Sequence, residues 1–381
     1  MSESTLNGPP PPRSRDSWTR FRNRLVARPA FQSWAARFPL TRRIARREGE
    51  ALFDLVSGFA KSQSLYALVA LDVLEHLADG PVSEVQAALR AGVPQKRMMV
   101  LLQSGAAMGV LTRHRDGRYS TAQKGAALLG VPGLKDMILH HDVFYRDLAD
   151  PVAFFRGETE TELAGFWPYV FGEGAKRDPE AAARYSRLMA ESQGLVAEET
   201  LGAVSFKGCR HLMDVGGGTG AFLSAALQAT PGLEGTLFDL PDVAEAGRAR
   251  LSGAGVLDRA RITPGSFRDA PLPSGADAIS LVRVLYDHAD ETVGALLRSV
   301  RAALPAGGRL VVSEPMSGGA RPDPATDVYF AMYTMAMGTG KTRSVAEVSA
   351  LLEAAGFVDI RQKPTRRAFV TSVVTAKVSD T

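Results

Sequence analysis

The run Asp214-Val215-Gly216-Gly217-Gly218-Thr219-Gly220, closing a short apolar stretch that begins at His211, limits the folds open to this chain more than any other segment. Its glycines let a backbone turn tightly from a strand into a helix and bring peptide N–H groups against a ligand. The surrounding texture agrees. Candidate strands at His211–Val215, Gly235–Leu240, Arg261–Phe267, Ala278–Leu285, Arg309–Glu314, Val358–Thr365 and Phe369–Lys377 alternate with helical stretches at Gly220–Ala229, Val243–Leu251, Asp290–Ala303 and Val345–Ala355. Such alternation predicts an α/β domain with a parallel sheet and helices on both faces. The last two strands lie too close together for a helical crossover, so they must form an antiparallel hairpin. Nicotinamide enzymes use G-x-G-x-x-G, whereas Gly216, Gly218 and Gly220 stand at G-x-G-x-G with Asp214 two residues before the first. That spacing points to S-adenosylmethionine; the competing explanation is a turn with only a structural role. Asp239, nineteen residues after Gly220 at the end of the second strand, can accept both hydroxyls of a ribose. By itself it would read as a turn residue before Pro241.

Upstream, Glu48 to about Leu129 reads as short helices ending in a hairpin. Apolar residues recur at three- and four-residue steps through Ala51, Leu52, Leu55, Val56 and Phe59, and again through Leu65, Leu68, Val69, Leu71 and Leu74, the pattern of buried helix faces. Ser83 can cap a helix from Glu84 to Arg90, and a third helix runs from Gln95 to Met108. Leu111 and Thr112, a turn at Asp116-Gly117, and Tyr119 to Thr121 make the hairpin. Three helices and a hairpin form a winged helix, which raises DNA binding as a hypothesis. The third helix carries charge only in its first turn, at Lys96 and Arg97, which fits packing or dimerisation better than a charged groove. Residues 134–205 continue as helices, including Ala181 to Thr200, with aromatic residues from Phe144 to Phe171 dense enough to wall an apolar pocket or simply to pack helices. His140-His141-Asp142 invites a metal, but adjacent histidines on a helix point to different sides and no partner motif accompanies them, so no metal is expected.

The 381 residues, 45% apolar and 23% charged, suffice for two domains with an ample core. The net charge of +4 is unevenly spread: residues 1–48 hold eleven Arg and no Lys against three acids, a local +8, and the remainder is −4. A nucleic-acid-binding body would carry its own basic stripe, so no nucleic-acid partner is expected. Trp18, Phe21 and Leu25, then Phe31, Trp34 and Phe38, fall at helical steps with Arg between them and breaks at Pro29 and Pro39. Two basic amphipathic helices of this kind fit an anionic membrane surface, or docking on a partner subunit. The single Cys209 cannot form an intrachain disulfide, no signal-type apolar segment opens the chain, and nowhere do about 18 apolar residues run together. The expectation is a cytoplasmic protein whose arm makes peripheral contact with a membrane surface or docks on a partner subunit.

Asp214–Gly220, Phe238-Asp239-Leu240-Pro241, Gly265-Ser266-Phe267, Leu281-Val282-Arg283-Val284-Leu285-Tyr286-Asp287-His288 and Glu314 occur in an order and spacing that resembles the small-molecule O-methyltransferases related to plant caffeate and flavonoid enzymes. The resemblance covers about residues 48–377. It implies a winged-helix dimerisation domain, a homodimer, and a Rossmann-like α/β domain with a mostly parallel seven-stranded sheet that binds S-adenosylmethionine. The domains would be a basic arm at 1–47, the dimerisation domain at 48–133, linking helices and pocket wall at 134–205, and the catalytic domain at 206–381. Asp214, Gly216, Gly218 and Gly220 would serve the methionine part of the cofactor, Asp239 the ribose, Ser266 and Phe267 the adenine, and Arg283 the methionine carboxylate. Glu314 matches a glutamate flanking the catalytic residue. Three positions depart from the pattern: Ser266 stands for an Asp, Thr342 for a second flanking Glu, and Tyr286 for the family's catalytic His. Within the family, the Leu-Tyr-Asp-His variant and the Arg-rich leader ending Thr41-Arg42-Arg43-Ile44-Ala45-Arg46-Arg47-Glu48-Gly49 resemble the branch that methylates hydroxylated acyclic carotenoids.

The missing histidine matters because an aliphatic alcohol is a weak acid whose proton must leave as the new bond forms. A positioned base contributes roughly 10²- to 10⁴-fold. If the strand continues past Leu285, Tyr286 and His288 share a side; His288 would then take the proton, directly or through Tyr286, with Glu314 orienting it, unless His288 merely faces solvent. The segment from Asp327 to Met337 matches the helix along the acceptor pocket, and its soft Met side chains suit a long bent hydrocarbon as well as ordinary core packing. The expected activity is methyl transfer to the tertiary hydroxyl of a hydrophobic carotenoid. The alternatives are an aromatic or polyketide hydroxyl as acceptor, or a non-catalytic cofactor-binding or DNA-binding regulator.

Overall fold

The computed structural model describes residues 14–166 and 192–380. The described part of the basic arm is helical: α1 spans Ser14–Val26, α2 Pro29–Arg37 and α3 Arg42–Val56. Pro29 opens α2 because its missing N–H costs nothing at a helix start. The arm's rings stack on one another, Trp18 on Phe21 at 5.7 Å and Trp34 on Phe38 at 4.9 Å, and Trp18 stays 65% exposed. The apolar run along α3 and into α4 (Gly58–Ala70) is not the buried face its spacing suggests: Leu52, Leu55, Val56 and Phe59 are all exposed, Leu55 by 79%. Periodicity reports that a face is apolar and not what covers it. The second run behaves as expected, with Leu68, Val69 and Leu74 buried in the core of the helical domain.

That domain continues through α5 (Val73–His76), α6 (Glu84–Ala91), α7 (Gln95–Ala107) and the hairpin of β1 (Leu111–Arg113) and β2 (Tyr119–Thr121). Ser83 and Gln86 form a reciprocal capping box at the start of α6. α7 buries Met98 and Leu102 but leaves Met99 and Val100 exposed, so only one face of this helix is packed. After α8 (Gln123–Gly130) come α9 (Leu134–Asp147) and α10 (Pro151–Arg156). Trp167, Tyr169, Phe171 and the start of the helix expected from Ala181 lie outside the described residues; 192–203 are helical and are called α11.

From His211 the alternation forms one seven-stranded sheet in the order β5-β4-β3-β6-β7-β9-β8. The strands are β3 (His211–Val215), β4 (Glu234–Asp239), β5 (Ala260–Pro264), β6 (Ala278–Val282), β7 (Arg309–Glu314), β8 (Phe357–Lys363) and β9 (Ser372–Val378). The first five pair in parallel, and β9 runs antiparallel to both β7 and β8, the hairpin ending foreseen from the short connection. Every residue of β6 is buried, as a central parallel strand covered on both faces requires. The order reverses between β3 and β6, and ligands of open α/β sheets bind beyond the carboxyl ends of the strands at such a reversal. Two strands end three residues earlier than their sequences suggest. β5 stops at Pro264, and β6 stops at Val282 because Arg283 takes a left-handed backbone (φ 59°) and Leu285–Asp287 coil into one 3₁₀ turn. A strand running on to Leu285, with Tyr286 and His288 on one side of it, is therefore not what forms.

Candidate active site

Five strand ends deliver their residues to one edge of the sheet. At β3, Gly216, Gly218 and Gly220 all have left-handed φ (67°, 58° and 75°), which an L side chain adopts at a cost. A Cβ on Gly216 would stand 2.9 Å from Val284 Cγ2, and one on Gly217 would collide with the Asp214 carboxylate. Asp214 itself is buried beneath the loop, where the Ser280 hydroxyl donates to it at 2.6 Å and burial pushes its pKa up to about 7. It supports the loop from below and does not line the cleft; Gly220 likewise sits at the start of the helix Ala221–Ala229, its N–H donating to Gly217 O. At the end of β4, Asp239 accepts from Gly218 N at 2.6 Å and Leu240 N at 2.7 Å, and burial raises its pKa against those two bonds.

The cleft at this edge holds about 950 Å³ of space open to solvent, lined by Gly216, Gly218, Asp239, Ser266, Phe267, Arg283, Tyr286 and His288 among others. Of the residues singled out from sequence, these eight meet in one place; Asp214, Gly220 and Glu314 stand behind it. At one end Phe267 meets His288 edge to face at 5.4 Å. The His288 Nδ1 accepts from Arg268 Nη2 at 3.1 Å. Burial, with the Arg268 and Arg343 charges, holds the imidazole pKa down to about 4. At the other end Arg283, placed by its left-handed backbone, donates from Nη1 to Ser192 Oγ at 2.8 Å and from Nε to the Tyr286 hydroxyl at 3.2 Å. Burial raises the Tyr286 phenol above its ordinary value although the Arg283 charge opposes that shift.

Glu314, fully buried at the end of β7, does not pair with His288. Its Oε2 accepts from Leu285 N at 2.9 Å and Tyr286 N at 3.2 Å, and burial pushes its pKa up to about 7. It fixes the 3₁₀ turn that presents Tyr286. A buried arginine missed in the sequence completes this support: Arg343 donates to Leu285 O and His288 O and pairs with Asp290, while Thr342 bonds Ser317 instead of reaching the cleft. Its position just after the Gly338–Thr342 loop was the available signal. Two further buried atoms lining the cleft, Gln193 Oε1 and Asp287 Oδ1, have no hydrogen-bond partner among the described residues. Burial raises the Asp287 carboxyl well above its ordinary range.

A flat glycine platform, a strand-end carboxylate beside it, an aromatic end and a cationic end with unmatched acceptors fit an adenosine carrying a zwitterionic amino acid. No group of His, Cys, Asp and Glu suited to a metal occurs among the described residues. His140 and His141 instead each bond a tyrosine, at 3.1 Å to Tyr333 and 2.8 Å to Tyr329. Adjacent histidines thus reach the same neighbouring helix, contrary to the expectation that they diverge.

The fold and cleft define a nucleoside-binding α/β architecture of the methyltransferase type, and the comparisons with known proteins agree. Residues 145–358 match the O-methyltransferase domain and residues 53–130 the O-methyltransferase dimerisation domain. The chain belongs to the S-adenosylmethionine-dependent O-methyltransferase family. It is 58% identical to a demethylspheroidene O-methyltransferase of Cereibacter sphaeroides, over 96% of this chain and 97% of that one. It is 53% identical to the demethylspheroidene O-methyltransferase of Rhodobacter capsulatus, over 90% of this chain and 85% of that one. Among solved structures it superposes with a TM-score of 0.73 on CalO1, a methyltransferase in calicheamicin biosynthesis solved in an SAH-bound form, at 28% identity over 87% of this chain and 98% of that one. The dimerisation domain supports a homodimer. No helix among the described residues is long and apolar enough to cross a membrane.

Proposed function

We propose that this enzyme moves the methyl group of S-adenosylmethionine to the tertiary hydroxyl of a hydroxylated acyclic carotenoid. The similarity to two demethylspheroidene O-methyltransferases over nearly the whole chain carries this reading. The helical segment Pro324–Ala336, rich in Met and Tyr, supports it as a flexible apolar wall for a long hydrocarbon. Gly216 and Gly218 would bed the methionine chain, Asp239 the ribose hydroxyls, and Arg283 with Gln193 the amino-acid end. Phe267, Ser266 and His288 would take the adenine. The bound cofactor supplies a sulfonium-activated methyl group; the protein's share is to hold the acceptor oxygen in line with it and exclude water.

His288 is reassigned from base to cofactor contact. Its Nδ1 lone pair is engaged by Arg268, and an imidazole with a pKa near 4 takes up protons poorly at neutral pH. Tyr286 accepts from Arg283, which leaves its O–H free to orient an acceptor oxygen, while its raised pKa keeps it protonated. Glu314 is a positioning residue for that turn.

The domain division at 1–47, 48–133, 134–205 and 206–381 is part of the same reading, as is the arm's role. Exposed Trp18, Phe21, Trp34 and Phe38 among arginines would rest α1 and α2 on an anionic bilayer in which the acceptor dissolves, so that a cytoplasmic enzyme works at the inner or photosynthetic membrane without spanning it. Initial rates with labelled S-adenosylmethionine and either a 1-hydroxy carotenoid in vesicles or simple phenols test the assignment. Transfer to the tertiary alcohol is expected; transfer only to phenols would replace the carotenoid with an aromatic acceptor.

A further inference from the structure

α11 meets the cleft at Ser192 and Gln193 and meets the sheet two turns further on. Ser192 Oγ accepts from Arg283 Nη1 at 2.8 Å. Gln193 lines the cleft, and its buried Oε1 has no partner among the described residues. Seven residues later come Glu199 and Thr200, both buried. Seven residues make nearly two full helical turns, so Glu199 lies in line with Ser192, and Thr200 with Gln193, about 10 Å along the axis. Whatever fixes one end of that face therefore places the other.

The fixing is polar. Glu199 Oε2 accepts from Arg366 N at 2.8 Å and Arg367 N at 2.9 Å, and its Oε1 accepts from Arg367 Nε at 2.7 Å. These arginines belong to the connection between β8 and β9, which approaches α11 so closely that a Cβ on Gly202 would stand 2.9 Å from Arg366 Nη2. Thr200 Oγ1 bonds Ser313 Oγ at 2.6 Å, and Ser313 Oγ bonds Thr371 Oγ1 at 2.9 Å, a chain of buried hydroxyls from α11 through β7 to the residue before β9. The Ser313 carbonyl also accepts from Arg283 N at 2.8 Å, so α11 and Arg283 are both referenced to one residue of β7. Val196 and Ala197 add apolar packing. Apolar contact alone lets a helix slide or rotate at small cost, whereas hydrogen bonds are directional and buried ones are costly to break. The polar set thus fixes the height and rotation of α11 as well as its attachment.

We propose that Glu199 and Thr200 are positioning residues for the amino-acid end of the cofactor: by locking α11 to β7 and to the β8–β9 connection, they hold Ser192 on Arg283 and Gln193 Oε1 in the cleft. This rests on the reading that the amino acid lies at Arg283. Arg283 then meets the carboxylate in a fixed orientation, and the ammonium group donates to Gln193 Oε1, which satisfies that orphaned acceptor. A site built in this way prefers an adenosine that carries an amino acid over one that does not. Glu199 and Thr200 control that preference without touching the ligand.

Calorimetric titration with S-adenosylhomocysteine and with 5′-methylthioadenosine, which keeps the adenosine and the thioether but lacks the amino acid, measures the preference as a ratio of Kd values. Thr200→Val removes only the hydroxyl; it should weaken S-adenosylhomocysteine by roughly 10-fold and leave 5′-methylthioadenosine within about 3-fold of wild type. Thr200→Ser keeps the hydroxyl and should restore the ratio. Glu199→Gln gives up the charge facing Arg367 and one acceptor oxygen, and it should lower the ratio as Thr200→Val does. Thr236→Val, which removes a buried hydroxyl bonded to His211, should leave the ratio unchanged. Equal losses for the two ligands, or wild-type affinity for S-adenosylhomocysteine in both α11 variants, would overturn the proposal. Arg283→Ala separates this outcome from a failure of the underlying reading. If that variant weakens both ligands equally, the amino acid does not lie at Arg283 and the proposal falls with the reading. If it weakens S-adenosylhomocysteine alone while Thr200→Val and Glu199→Gln do not, the reading stands and the positioning role is refuted.

Discussion

Replacing Asp239 by Asn probes the cleft at its best-defined point. The carboxylate accepts from Gly218 N and Leu240 N at 2.6 and 2.7 Å, so its two oxygens are held at the end of β4 with both facing donors. An Asn can keep an oxygen on one of these amides but must set its NH₂ group toward the other donor or toward a ribose hydroxyl. The change also removes the negative charge. A hydrogen bond to a charged group contributes about 1.5–3 kcal/mol, and losing the better part of two ribose contacts costs about 2–4 kcal/mol. At 1.36 kcal/mol per tenfold, that is a rise in Kd of about 30- to 1,000-fold. Calorimetric titration with S-adenosylhomocysteine measures it, with Asp258→Asn, an exposed carboxylate on the far side of β5, as the control. An affinity within about 3-fold of wild type would refute the assignment of Asp239 to the ribose and with it the orientation of the cofactor in the cleft.

Three other expectations follow from the same geometry. Glu314→Ala strands the buried amides of Leu285 and Tyr286 and should cost about 2–5 kcal/mol of stability, whereas Glu314→Gln retains an acceptor and should cost far less. Folding raises the Glu314 pKa from 4.5 to about 7, so its proton stabilises the native state fully below pH 4.5 and that contribution fades as the pH rises through 7. Denaturant titrations should therefore show the stability of wild type relative to Glu314→Gln falling across that window; a flat difference would place the carboxyl in a wetter site. In NMR titrations His288 should stay neutral down to a midpoint near pH 4 and move upward in Arg268→Ala, and a midpoint at or above 6.5 in the wild type contradicts its burial beside Arg268 and Arg343. Removal of residues 1–38 should reduce binding to anionic vesicles while leaving the affinity for S-adenosylhomocysteine unchanged, and undiminished vesicle binding would reject the arm's proposed role.

The sheet was legible in the sequence because parallel strands buried on both faces read as apolar runs, and because the short gap between the last two strands cannot hold a crossover helix. The glycine loop and Asp239 were legible because both carry special backbone or charge requirements at strand ends. The Arg283 to His288 turn was not, since nothing in Val282-Arg283-Val284 announces a left-handed arginine followed by the 3₁₀ turn that separates Tyr286 from His288. Placing His288 on a continued strand made it a base; the observed kink puts it against Phe267 and Arg268 instead. The exposed face of α3 misled for a different reason: an apolar stripe looks alike whether a chain covers it with itself or leaves it for another surface. The two His–Tyr bonds depend on residues about 190 positions apart, which local spacing does not relate.

A difference map of the protein with bound S-adenosylhomocysteine would bear hardest on the cleft itself. The adenine should lie against Phe267 and His288, the ribose hydroxyls on Asp239, the carboxylate on Arg283, and the sulfur should face the Tyr286 hydroxyl. A ligand bound in the reverse sense, or one whose sulfur points away from Tyr286, would contradict methyl transfer across this edge of the sheet.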